Sequence, residues 1–164
     1  MTASENTTSV VTVTSVSPTP STFQLAYSDA PNSLSYARLS PDSERPGTSG
    51  TLIVFSNDNR AAPFSFNDLS QLKITSSNAI IEKNARDPYP YLFVEDGSPT
   101  AANAPVCSAC NGTLSCDYQG TTGNRFALCG GFLSLGVDSA LGDGRNDGRC
   151  QVVEPQVLPF ASAT

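Results

Sequence analysis

From Phe23 onward, apolar and polar residues alternate in short bursts, each closed off by turn-forming residues. The bursts are TFQLAY (22–27), SYARLS (35–40), TLIVFS (51–56), PFSFN (63–67), QLKIT (71–75), AIIEK (79–83), YLFVED (91–96), PVCSAC (105–110), TLSCDY (113–118), RFALC (125–129), FLSLGV (132–137) and CQVVEPQVL (150–158). Each is rich in Val, Ile, Phe, Tyr or Thr and bounded by Gly, Pro, Asn or Asp, as strands between turns are. No stretch holds a 3.6-residue apolar period over a useful length, so helices are not expected. The pattern predicts an all-β domain over residues 23–160, folded as a compact antiparallel barrel.

Strand openings recur at Phe23, Phe64, Val106 and Cys150, a spacing of roughly forty residues that is first tested as an architectural repeat. Three units of about four strands each predict a β-trefoil-like barrel, while a two-sheet β-sandwich accounts for the same strand number. Residues 1–22 are of another kind. They are dominated by Ser and Thr, with Pro18 and Pro20 near the end, and bury too little apolar area to offset the entropy of ordering. They read as a disordered, mucin-like tail or linker, although SVVTVTSV (9–16) has the alternation of an edge strand.

Three of the five cysteines fall in CSACNGTLSC, residues 107–116. Asn111-Gly112 is a strong signal for a type I′ turn, whose two central residues both need positive φ. A two-residue loop sets Cys110 opposite Thr113, Ala109 opposite Leu114, Ser108 opposite Ser115 and Cys107 opposite Cys116. Counting outward from the turn, Cys107 and Cys116 form a non-hydrogen-bonded pair, where side chains approach most closely and a disulfide fits. Cys129 and Cys150 then make a second pair. Cys110 is left as a free thiol, although spacing alone allows it to displace either partner. A zinc site from Cys107, Cys110, Cys116 and Cys129 is the rival, but the second C-x2-C is missing and a strand puts Cys107 and Cys110 on opposite faces.

Histidine is absent, which removes Ser-His-Asp and Cys-His nucleophiles and imidazole metal ligands. Net charge is −6, and the nine basic residues are scattered, so nucleic acid is not an expected partner. No run reaches the roughly 18 apolar residues of a membrane span. No leader peptide follows Met1, and the native chain is expected to extend beyond both ends.

Disulfides imply an oxidising compartment, and two N-glycosylation triplets agree: Asn6-Thr7-Thr8, and Asn111-Gly112-Thr113 at the hairpin tip. The Ser/Thr-rich lead-in, TFQLAY, the C…NGTLSC hairpin, NRFALCGGFLSLG and RCQVV together resemble modules of fungal secreted and cell-wall glycoproteins. The resemblance covers most of residues 22–158. It implies an extracellular or cell-surface location and brings no catalytic residues. Cys110 departs from the tidier four-cysteine pattern.

Two further constellations bear on chemistry. DGRNDGRCQVVE (143–154) imitates a calcium loop, with Asp143, Asp147, Gly148 and Glu154 at positions 1, 5, 6 and 12. Position 3 is Arg145, and Gly142 and Pro155 exclude flanking helices, so the segment reads as a turn-rich surface loop with Asp143, Asp147 and Glu154 as its candidate ligands. No cofactor is expected. Paired carboxylates drive glycoside hydrolysis, but none of Glu82, Asp87, Glu95, Asp96, Asp117 and Glu154 is singled out by its surroundings. Carbohydrate recognition needs aromatic faces, and Trp is absent. Tyr89 and Tyr91 in DPYPYLF are the candidates, held in extended chain by the prolines, with Asn57, Asp58 and Asn59 supplying polar contacts. Tyr27, Tyr36 and Tyr118 are further tyrosines. The expected function is a non-catalytic extracellular module, structural or adhesive. The alternative is a lectin-like domain for cell-wall polysaccharide or another glycan, and a carboxylate-dependent glycoside hydrolase comes third.

Overall fold

Every burst forms a strand, and the last one forms two. The computed structural model describes residues 19–31, 33–40, 50–58, 60–83, 91–94, 103–121, 124–137, 141 and 150–160. Its strands are β1 (Phe23–Ala30), β2 (Ser33–Leu39), β3 (Thr51–Ser56), β4 (Phe64–Phe66), β5 (Leu72–Ile74), β6 (Ile81–Lys83), β7 (Leu92–Val94), β8 (Val106–Cys110), β9 (Thr113–Asp117), β10 (Arg125–Cys129), β11 (Phe132–Gly136), β12 (Cys150–Val153) and β13 (Gln156–Pro159).

All pairings are antiparallel, in the order β12-β10-β11-β3-β2-β1-β13-β9-β8. The β4–β5 hairpin hangs from β1, and β7, with β6 beside it, pairs with β3. Only Glu154 and Pro155 separate β12 from β13, yet β12 ends the order while β13 lies between β1 and β9. The sheet must therefore curl until its β12 end returns to β13. The result is a curled antiparallel half-barrel.

Pro155 explains why CQVVEPQVL is two strands. Proline has no N–H to donate to a ladder, so it marks a break or bend. Its carbonyl still accepts the Leu114 N–H at 2.9 Å. Burial alternates through the bend, with Val153, Pro155 and Val157 buried and Glu154 and Gln156 exposed, so the inward face is kept while the pairing changes from β10 to β1.

The roughly forty-residue spacing is not a three-fold repeat. Phe23, Phe64, Val106 and Cys150 do open strands, but β1 is central, β4 is a side arm, and β8 and β12 are the two ends. A trefoil requires equivalent places. The strands also form one connected sheet, not the two stacked sheets of a sandwich.

Two cores lie on opposite faces of the sheet. Phe23, Leu25, Ile53, Phe64, Leu133 and Leu135 are fully buried on the inner face, together with the sulfurs of Cys107 and Cys116. Each large side chain contributes about 1.5–3 kcal/mol by leaving water. Leu52 and Ile53 are adjacent and both 0% exposed, so β3 is covered on both sides. The outer cover is a smaller cluster of Leu52, Tyr91, Phe93, Ala127, Cys129 and Leu141, brought there by β7. The β7 residues Leu92, Phe93 and Val94 are all buried, which is why YLFV reads as a continuous apolar run and not as an alternation.

Candidate binding cleft

A cleft opens at the bend at Pro155. On the C-terminal side, β9 joins β13 through Thr113↔Gln156, and the Val157 N–H donates to the Gly112 carbonyl at 2.7 Å. On the N-terminal side, β10 ladders with β12 from Phe126↔Val153 to Cys129↔Cys150. β9 and β10 thus meet one run of chain on either side of the bend and diverge from it. Between them opens a cleft of about 360 Å³. Buried Leu114, Phe126, Val153 and Pro155 form its apolar part. Thr113, Ser115, Asn124, Arg125 and Glu154 supply polar groups, and Val152, 51% exposed, adds an apolar edge. The Asn124 amide N–H donates to the Thr121 carbonyl, which leaves its oxygen as the acceptor. Among the described residues, the lining contains the Glu154 carboxylate and the Arg125 guanidinium.

The hairpin that supplies β9 is rigid for reasons visible in its sequence. Asn111 and Gly112 have φ of 50° and 77°, both positive as a type I′ turn demands. The ladder runs from Cys110↔Thr113 to Val106↔Asp117 and sets Cys107 opposite Cys116. Those two are bonded, with their Cα atoms 4.0 Å apart. The far edge of the hairpin is held by the Gln71↔Val106 bridge and by the Cys107 N–H donating to the Ser70 carbonyl at 2.7 Å. Cys129 and Cys150 form the second disulfide, again with Cα atoms 4.0 Å apart. Cys110 is the free, exposed cysteine, and Asn111 is exposed at the tip.

Of the carbohydrate candidates, Tyr91, Asn57 and Asp58 lie among the described residues. Tyr91 is 1% exposed, pairs with Ser134 and meets the Phe132 ring edge-on at 5.8 Å. It is a core residue, because the outer face of β3 and β11 needs a cover, and its ring cannot stack on a saccharide. Asp58 is engaged by Arg60 at 3.0 Å and Arg38 at 3.4 Å. Burial alone would raise its pKa, but the Arg60 hydrogen bond and the two cationic neighbours hold it below the usual carboxylate value. Asn57 is exposed beside it. Tyr89, Asn59, Asn6, Asp143 and Asp147 lie outside the described residues. Glu154 belongs to the cleft, and among the described residues no three His, Cys, Asp or Glu side chains form a metal-binding group.

Other tyrosines are structural. Tyr27 packs edge-on against Phe55 at 4.9 Å, and its pKa is raised by burial and by Asp29. Tyr118 lies 4.0 Å beneath the Lys83 ammonium and contacts Asn103 through its hydroxyl at 3.5 Å. Burial and the Glu82 carboxylate raise the Tyr118 pKa, while burial lowers that of Lys83.

Sequence reading missed Ser115, Asn124 and Arg125 as members of a site. The available signal was Pro155 inside an apparent strand, since a mid-strand proline marks a bend or an edge. No helix among the described residues is long and apolar enough to cross a membrane. No protein-family model, curated protein or solved structure matches the chain.

Proposed function

We propose that this chain is a non-catalytic module of an extracellular, cell-surface or cell-wall glycoprotein with a structural or adhesive role. The observation that carries the proposal is the pair of cross-strand disulfides, Cys107–Cys116 and Cys129–Cys150. Such bonds persist in oxidising compartments and are rare in reducing ones. The exposed Asn111, on a turn pinned to β13, suits a glycan that must point away from the fold. The likeness of the cysteine and strand pattern to fungal wall glycoproteins supports the same reading.

The test is peptide mapping of the protein isolated from its native source without reduction. Both disulfides and a glycan on Asn111 are expected. Five reduced thiols would place the chain in a reducing compartment and end the proposal.

A second reading, carbohydrate binding, is favoured by the cleft at Pro155. Among the described residues Glu154 is the carboxylate that lines the cleft, whereas paired-carboxylate hydrolysis uses two.

A further inference from the structure

We propose that the cleft where β9 and β10 diverge from Pro155 is a binding site for a neutral saccharide. The inference rests on the carbohydrate-binding reading and gives it a location, which is not the tyrosine-rich segment that composition favours. The volume of about 360 Å³ falls within the range of small-molecule sites, though at its low end. What selects the ligand is the mixture of groups. Arg125 donates only, Glu154 in its ionised form accepts only, and Ser115, Thr113 and Asn124 bring hydroxyl and carbonyl oxygens that accept, the hydroxyls also donating. A sugar hydroxyl is itself donor and acceptor, so a polyol can engage all of them.

The charges decide against other ligands. Among the described residues Arg125 is the cation and Glu154 the anion of the cleft lining, so an anionic or cationic ligand meets a like charge as well as an opposite one. A neutral ligand meets no such conflict. Pro155 and Val152 supply apolar surface for the C–H face of a pyranose, the role that aromatic rings play where they are available. The site is also stiff. The Cys107–Cys116 bond braces β9, and the Cys129–Cys150 bond ties β10 to β12, so little ordering entropy is lost when a ligand binds.

The experiment is an NMR titration of the disulfide-intact protein, freed of any N-glycan because Asn111 is two residues from Thr113. The probes are laminaritetraose, mannotetraose and chitotetraose at millimolar concentration. At least one is expected to shift the amide signals of Ser115, Arg125 and Glu154. Arg125→Ala and Glu154→Gln should each weaken that binding by about tenfold or more, the value of a hydrogen bond to a charged group, while Asp58→Asn leaves it unchanged. The exposed positions of Arg125 and Glu154 keep the variants folded, which their unfolding midpoints will verify. Binding that survives both cleft variants, or falls with Asp58→Asn alone, overturns the cleft assignment and leaves carbohydrate binding standing. No shift with any probe overturns both.

Discussion

The two disulfides are locally alike and differ in what they hold. Each joins residues directly opposite on antiparallel neighbours, with Cα atoms 4.0 Å apart. Cys107–Cys116 bridges a hairpin with a sequence separation of 9 and lies in the inner core. Cys129–Cys150 spans 21 residues, joins strands that are not consecutive, and has Cys129 in the outer cluster. Loop-closure entropy alone gives about 2.6 and 3.3 kcal/mol, a small difference. The larger difference lies in the unfolded chain. Asn111-Gly112 already favours the hairpin, so the first bond removes less disorder than its loop length suggests. The second fixes β12 to β10, a contact that no local turn prepares. A cross-link matters most where the sequence does not pre-form its contact.

The largest effect expected is in the outer core. Tyr91→Ala should cost about 3–5 kcal/mol, as truncating a buried aromatic does, and denaturant unfolding will measure it. A loss below about 1 kcal/mol, the scale of a surface change, would mean that the outer cluster is not a core. Replacing Cys129 and Cys150 together by Ser should cost about 3 kcal/mol, lowering the melting temperature by about 6–12 °C. The same double substitution at Cys107 and Cys116 should cost about 2 kcal/mol or less. If the hairpin pair proves the costlier, the pre-formed-turn explanation is wrong.

The smallest effect concerns Asp58. Its pKa in the fold lies below the ordinary 3.8, so the group contributes stability above that pH and loses it as pH falls through the folded value. Its pair with Arg38 is half-buried, while its pair with Arg60 is exposed at the arginine and screened by salt. Asp58→Asn should therefore flatten the acid limb slightly at low ionic strength and leave neutral-pH stability almost unchanged. A large loss at pH 7 would mean that the half-buried Arg38–Asp58 pair holds the fold together. At the other extreme, Tyr27 and Tyr118 have raised pKa values, so their contribution is complete below pH 10 and is lost as pH rises through the folded values.

Strand positions and the hairpin disulfide were legible because both depend on neighbours in sequence. Alternation marks a half-buried strand, and Asn111-Gly112 fixes the register that sets Cys107 against Cys116. The strand order was not legible, since a roughly forty-residue spacing says nothing about which strands pair. Tyr91 looked available because proline-flanked chain and an aromatic ring suggest display. Its burial follows from β3 being covered on both faces, a tertiary fact. The cleft was illegible for the same reason: Ser115 on β9, Arg125 on β10 and Glu154 beside Pro155 line one cleft only because β9 and β10 pair with the chain on either side of the bend.

That bend also imposes an order in time. β1 makes its full ladder only when β13 arrives, and the pair Phe23↔Pro159 joins nearly the two ends of the described chain. During synthesis, β1 and β2 emerge long before β13, so one edge of β1 must wait with its N–H and C=O groups unpaired. Contacts this distant in sequence are slow to form, typically in milliseconds to seconds for all-β domains. An open strand edge is a template for pairing with another chain throughout that wait. The residues after Pro155 therefore act as the clasp that ends the vulnerable period, and a chain that lost them would keep an adhesive edge permanently.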